Sequence, residues 1–227
     1  MIERNTQRNT EQRNLQRARR RGIAPSSSLR RHFFALARQV KQWSSTKVPG
    51  LTQGFTIGVT SLERGIGKST ISFNLACSLG SLTRSKSLLV ESDFGKHFIT
   101  RRIGMSRSPG LSEILIGVAD PSEVIAETPL TNLSVMGCGR KTDQEALELP
   151  FDLLPNVISE SFNEFGFVVF DLPVASHLTA CHSMVPHLDG VILAVESNQI
   201  DHRQVDRFRK QLEGHGVDVI GVVLNKA

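Results

Sequence analysis

The sequence has no tyrosine, a single tryptophan and only three cysteines in 227 residues. Cys77, Cys138 and Cys181 lie too far apart for a zinc ribbon or a disulfide framework, and each reads as a small buried apolar residue. Long apolar runs are also missing. The best candidates, residues 167–170 and 191–195, are strand-sized, well short of the ~20 residues that span a bilayer. The start of the chain is polar and rich in arginine, with no apolar segment of the secretory type, so the cytoplasm or its membrane face is the expected location. Hydrophobic residues make up 39% and charged residues 22% of the chain, which suits one domain with a real core and an appendage.

Acidic side chains are scarce at the beginning. Residues 1–48 hold 12 Lys and Arg against 2 acids, whereas residues 49–227 hold 15 against 20, so the net charge of +5 conceals a basic head on an acidic body. Residues 1–27, with Arg19-Arg20-Arg21 among Gln, Asn and Ser, have too few apolar groups to offset the entropy of ordering, and read as a disordered basic arm. Residues 28–47 read as an amphipathic basic helix. Leu29, Phe33, Leu36, Val40 and Trp43 recur at steps of four and three, with Ser28 as N-cap. The stripe has two open uses: packing on the protein's own core, or docking on an anionic membrane or a partner, with Arg30, Arg31, Arg38 and Lys41 mostly off the stripe. Nucleic acid is the weaker partner, because aromatic residues are not interleaved with the arm's charges.

Beyond the Val48-Pro49-Gly50 break, residues 50–227 alternate strand and helix patterns. Strands are expected at 55–60, 87–91, 133–136, 167–171, 190–195 and 218–224. Helices are expected from 68 to about 79, stopping at Gly80, and at 111–116, 151–165 and 200–213. Apolar strands without alternation, separated by helices, imply a doubly wound, mostly parallel α/β sheet with helices on both faces. Ligands bind such sheets beyond the carboxyl ends of the strands.

The strongest chemical signal lies there, in Ser61-Leu62-Glu63-Arg64-Gly65-Ile66-Gly67-Lys68-Ser69-Thr70, between the first strand and the first helix of the body. Glycines let backbone N–H groups close around phosphate oxygens, and the helix N-terminus adds partial positive charge. Lys68 then reaches the β- and γ-phosphates of ATP, Ser69 presents a hydroxyl to Mg²⁺, and Thr70 contacts a further phosphate. Leu62 stands where the general phosphate loop has its first glycine, which marks a variant subclass. Two carboxylates close strands. Asp171 ends an apolar strand and suits Mg²⁺. Asp93 suits either the proton of an attacking hydroxyl or the metal's hydration shell, and Glu91 points away from Ser92. His177, His182 and His187, spaced at five, match no metal face.

These residues resemble the deviant Walker A ATPases, the group of MinD and ParA. The similarity is closer to the cytoplasmic kinase domain of bacterial tyrosine kinases of capsule and exopolysaccharide systems, the CpsD/CapB type. That family's T-S-x-x-P-G-E-G-K-S-T-x-x-x-N-L-A resembles Thr60–Thr70 running on to Asn74-Leu75-Ala76. Its D-x-D resembles Glu91-Ser92-Asp93, its D-x-P-P resembles Asp171-Leu172-Pro173-Val174, and its G-L-S-x-x-L resembles Gly110–Leu115. Asp189-Gly190-Val191 and Gly221-Val222-Val223-Leu224-Asn225 resemble two later strands. The resemblance implies a P-loop NTPase fold over residues 50–227, with ATP on Arg64, Gly65, Ile66, Gly67, Lys68, Ser69 and Thr70 and the adenine read by Asn225. It further implies Mg²⁺ near Ser69, Asp93 and Asp171, phosphoryl transfer by Lys68, Asp93 and Asp171, and a membrane-embedded regulator of polysaccharide chain length as partner.

Departures from the family pattern carry information too. Family kinases phosphorylate their own C-terminal tyrosines, and these residues offer none. Glu63 replaces the signature lysine of MinD and ParA, Arg64 and Ile66 replace Pro and Glu, and Gly95-Lys96-His97 replaces Arg-Arg-Pro. The family's ring-forming E-x-x-R-x-x-R helix aligns with Ser28, Arg31 and Phe34, where only Arg31 matches; a homo-oligomer stays among the implied partners. A positioning switch of the MinD or ParA kind, and a nucleotide-binding subunit with degenerate hydrolysis, are the rival readings.

Overall fold

Among the described residues, apolar β-branched and aromatic runs form seven strands: β1 (Phe55–Ser61), β2 (Ser87–Glu91), β3 (Ile125–Glu127), β4 (Leu133–Met136), β5 (Phe167–Asp171), β6 (Gly190–Glu196) and β7 (Asp218–Asn225). They make one sheet in the order β3-β4-β2-β5-β1-β6-β7, parallel throughout except for the β3–β4 pair. The computed structural model describes residues 27–47, 54–106, 108–175, 180–197 and 201–225. The arm expected over residues 1–27 lies outside these, apart from residue 27.

Strand residues alternate between two layers, although the runs look uniformly apolar in sequence. Ile57, Val59, Leu89, Val135, Val169 and Ile192 face one core, and Leu88, Val90, Met136, Val168, Phe170 and Val191 face the other. The first core lies under two helices, α1 (Ser27–Lys47) and α2 (Lys68–Thr83), through Ala37, Val40, Ile71, Leu75 and Leu79. The second is covered by α4 (Leu111–Leu115), α6 (Leu154–Ser161), α7 (Ala180–Met184) and α8 (His202–Gly214), with Leu111, Leu154, Met184, Phe208 and Leu212 buried. Helices on both faces of a mostly parallel sheet are the expected doubly wound arrangement.

Several expected elements have different bounds. The helix after the phosphate loop continues through Gly80 to Thr83, with Arg84 in the left-handed region at φ 58°. Gly80 is bare for another reason: a Cβ there would meet the Asn132 carbonyl at 2.5 Å. The helix expected over 151–165 is split into a 3-10 turn, Phe151–Leu153, and α6, because Pro155 fits only a helix's first turn. The expected 200–213 helix begins after Asp201, whose carboxylate caps the amides of Arg203 and Gln204. Three short elements, α3 (Phe98–Ile103), α5 (Pro121–Val124) and β3, carry too few residues to show a period.

The apolar stripe of α1 packs on the protein's own body. Val40 and Ala37 are fully buried there and Phe33, Leu36 and Trp43 partly so, while Leu29 is half exposed, at the helix's free first turn. The stripe is therefore not left over for a lipid surface, which corrects the second of its two expected uses; Arg31, Arg38 and Lys41 remain on the outer face. Trp43 is the clamp. Its ring meets Phe55 edge-on at 6.0 Å, its indole N–H donates to Asp218 at 3.3 Å, and it fills the space where a Cβ on Gly190 would lie. Lys47 also pairs with Asp218 and holds that carboxyl below its ordinary range. Trp43→Ala should lower unfolding stability by about 3 kcal/mol and open residues 27–47 to proteolysis; an unchanged urea midpoint would show that docking of α1 adds nothing.

Candidate active site

β1 delivers the chain to the centre of the sheet's carboxyl edge, and two residues with positive φ turn it into α2. Gly65 stands at φ 85° and Gly67 at φ 90°, and the Gly67 carbonyl accepts the Ile71 amide at 3.0 Å to start the helix. A Cβ on Gly65 would touch nothing, so that face of the loop is open for a phosphate to approach. The Ile66 side chain is buried in the core under α2, so only its backbone is available to a ligand. Arg64 is exposed and pairs with Asp143 at 3.8 Å.

Lys68 turns inward from the first position of α2 and is only 7% exposed. Its ammonium donates to Asp93 Oδ2 at 2.6 Å and lies 3.7 Å from Asp171 Oδ1, so the three sequence-predicted chemical residues meet at one point. Burial pulls the lysine's pKa down, but Asp171 and Asp93 more than reverse this and hold it above its ordinary value. Asp171 is fully buried at the end of β5. Burial pushes its carboxyl up, opposed by Lys68 and by the hydroxyls of Ser69 and Ser72. Ser72 was not foreseen. Its hydroxyl bridges the Lys68 carbonyl and Asp171 Oδ1, both at 2.9 Å, and its place one helical turn after Lys68 is the signal that marks it. Asp171 Oδ2, buried, has no partner among the described residues.

That orphaned oxygen is the test for a cation. A buried carboxylate oxygen beside the Ser69 hydroxyl and Asp93 is the oxygen-rich set that Mg²⁺ takes, so the residues fit the ion. Glu91 serves differently. Its Oε1 accepts the Ile99 amide at 2.6 Å and its Oε2 accepts the Thr100 hydroxyl at 2.7 Å and amide at 3.3 Å, which caps α3. Burial pushes its pKa up despite these bonds. At the far edge of the loop Asn225 donates its amide to the Ile66 carbonyl at 2.6 Å, so the strand expected to read adenine also steadies the phosphate loop. Of the histidines, His177 lies outside the described residues, and His182 packs edge-on against His215. Cys181 is buried against Thr60, and burial raises its thiol to about 12, as expected of an inert apolar cysteine.

Comparisons with known proteins give this geometry relatives. No protein-family model matches the sequence. The chain is 27% identical over 171 residues to the tyrosine-protein kinase CpsD of Streptococcus agalactiae, covering 75% of this chain and 74% of the relative. Its curated relatives include several bacterial tyrosine kinases. The succinoglycan biosynthesis transport protein ExoP of Rhizobium meliloti is 29% identical over 175 residues, 75% of this chain but 22% of ExoP. Among solved structures, the kinase domain of VpsO superposes with a TM-score of 0.70 at 25% identity over 88% of this chain and 97% of that one. The cell division ATPase MinD of Pyrococcus furiosus follows at 0.65 and 25% identity, over 75% and 71%. The chain therefore has the P-loop NTPase fold of the kinase and MinD group.

A titration follows from the raised carboxyl of Asp171. The folded chain holds that proton to higher pH than the unfolded chain, whose carboxyl has the ordinary value of 3.8. The group's contribution to stability is thus present below 3.8 and lost as pH rises through the folded value. A cation that binds only the ionised form offsets that loss, so Mg²⁺ should raise the melting temperature more at about pH 8 than at about pH 5. A larger increment on the acid side would remove the cation from Asp171.

Proposed function

We propose that the chain binds MgATP at this site and transfers the γ-phosphoryl group, as the cytoplasmic partner of a membrane-embedded regulator in exopolysaccharide or capsule synthesis and export. The observation that carries the reading is Lys68, held between Asp93 and Asp171 at the open edge of a glycine loop. Lys68 and the loop amides stabilise charge on the β- and γ-phosphates. Ser69 and Asp171 would hold Mg²⁺, with Asp93 near its hydration shell, and the ion would supply positive charge against the negative charge developing on the phosphates. When Lys68 moves onto the phosphates, Asp93 is freed to take the proton of the attacking hydroxyl. A bond forms from that oxygen to the γ-phosphorus, the bond to the β-phosphate oxygen breaks, and ADP leaves. Asn225, bonded to the Ile66 carbonyl at the rim of the loop, is the residue we assign to the adenine.

The acceptor is a tyrosine outside these 227 residues, which hold none, or water. The reading of a polysaccharide system is supported by CpsD and by ExoP, of which this chain matches only a part. The positioning switch is the less supported reading: the apolar stripe packs on the body, Glu63 stands in place of the signature lysine, and the basic arm that motivates the switch lies outside the described residues. Incubation with γ-labelled MgATP and a tyrosine copolymer should move label to the copolymer or to inorganic phosphate, and Asp171→Asn should abolish both. Intact ATP with the wild-type chain would overturn phosphoryl transfer in favour of a degenerate binder.

A further inference from the structure

The neighbouring strand ends gather a second constellation that the phosphoryl chemistry does not use. Glu91 ends β2, His97 precedes α3, and Cys138 follows β4, two residues beyond Met136. One ligand atom from each lies within 4.8 Å of the other two. His97 Nδ1 and Cys138 Sγ are 2.8 Å apart, within hydrogen-bond distance. His97 holds the left-handed region at φ 45°, ψ 44°, a conformation that non-glycine residues rarely adopt. That turn keeps the imidazole on the side of the thiol. Glu91 and His97 are also two of the positions at which the chain departs from the D-x-D and Arg-Arg-Pro pattern that it otherwise resembles.

We propose that Glu91, His97 and Cys138 form a binding site for a thiophilic divalent cation of the zinc class. A thiolate, an imidazole and a carboxylate are the borderline-soft set that selects zinc over magnesium, and three protein ligands leave a fourth position open. A carboxylate has about four lone-pair sites, and Glu91 uses three of them on α3, which leaves one for a metal. On binding, Cys138 loses its proton to water and His97 presents neutral Nδ1, so the cation takes the place of the hydrogen bond between them. Zinc bonds of about 2.0 Å to nitrogen and 2.3 Å to sulfur need the two atoms roughly 3.5 Å apart at a tetrahedral angle. Binding therefore requires the pair to open by roughly 0.7 Å from its 2.8 Å separation. Glu91 and Asp93 share one strand end, so an ion here stiffens the turn from Gly95 to His97 beside the nucleotide site.

The test uses Co²⁺ on the chelator-treated full chain without nucleotide and with Mg²⁺ in excess, so that oxygen-ligand sites are already filled. Bound cobalt is measured after gel filtration and by its thiolate-to-metal charge-transfer absorption. The wild-type chain should hold one equivalent and show the band. Cys138→Ser and His97→Asn, which tolerates the left-handed conformation, should each bind at least about tenfold more weakly, while melting like the wild type without metal. Absence of the band in the wild type, or equal binding by both variants, would overturn the site. Lys68→Ala should keep the band, so failure of the nucleotide reading and failure of this one are told apart.

Discussion

Lys68→Ala should reduce release of γ-phosphate from MgATP by about a thousandfold or more, the effect of removing a charge aimed at developing phosphate negativity in a water-poor site. The ammonium is also the only cation the described structure places between Asp93 and Asp171, at 2.6 and 3.7 Å. Its removal leaves two close buried carboxylates facing one another, which costs about 3 kcal/mol in the nucleotide-free protein. Part of that cost is relieved as Asp171, already pushed up by burial, takes a proton. The variant should therefore unfold at lower urea at neutral pH and recover as the pH falls. Two assays check it together: phosphate release under saturating MgATP, and urea midpoints across pH. Turnover matching the wild type would take Lys68 out of the chemistry.

The second large effect separates two glycines only two residues apart. Gly67→Ala forces a Cβ to 2.5 Å from the Asn225 amide nitrogen and also strains a backbone at φ 90°. The substitution pushes away the side chain that donates to the Ile66 carbonyl, so about 2–3 kcal/mol of stability should go with it. Gly65→Ala meets no neighbour and carries only the strain of its φ of 85°, about 1 kcal/mol. Its methyl projects instead into the open face of the loop, where a phosphate would lie. Gly65→Ala should then melt near the wild type yet lose ATP binding, whereas Gly67→Ala loses both. Calorimetric unfolding and nucleotide titration of the pair decide it: full ATP affinity in Gly65→Ala would move the phosphates elsewhere.

Much of this site is legible in the sequence because its parts are contiguous. The loop from Ser61 to Thr70 combines a strand end, two glycines and a helix start in ten residues, and Asp171 closes a run whose apolar character marks a central strand. Local patterns cannot show what lies across the fold. The capping of α3 by Glu91 depends on a six-residue helix too short to have a period, and the meeting of His97 with Cys138 joins residues 41 apart. Asn225 and Ile66 are 159 apart, and their bond follows only from β7 lying two strands from β1. The apolar stripe shows the opposite limit. Its period identifies the helix, but the same period suits a membrane or a core, and Ala37, too small to register in the stripe, is among the residues most fully buried against α2.

The position of Trp43 gives the protein an optical reporter of its own. It is the only tryptophan, and with no tyrosine present the near-ultraviolet emission of the chain comes from essentially one ring. That ring touches Phe55 at the start of β1 and Asp218 at the start of β7, the two strands whose far ends carry the phosphate loop and Asn225. Its emission colour reads the wetness of the seam between α1 and the sheet, and its anisotropy reads whether the helix tumbles with the body. Nucleotide filling at one end of these strands and loosening at the other can thus be followed in a single cuvette, without a dye.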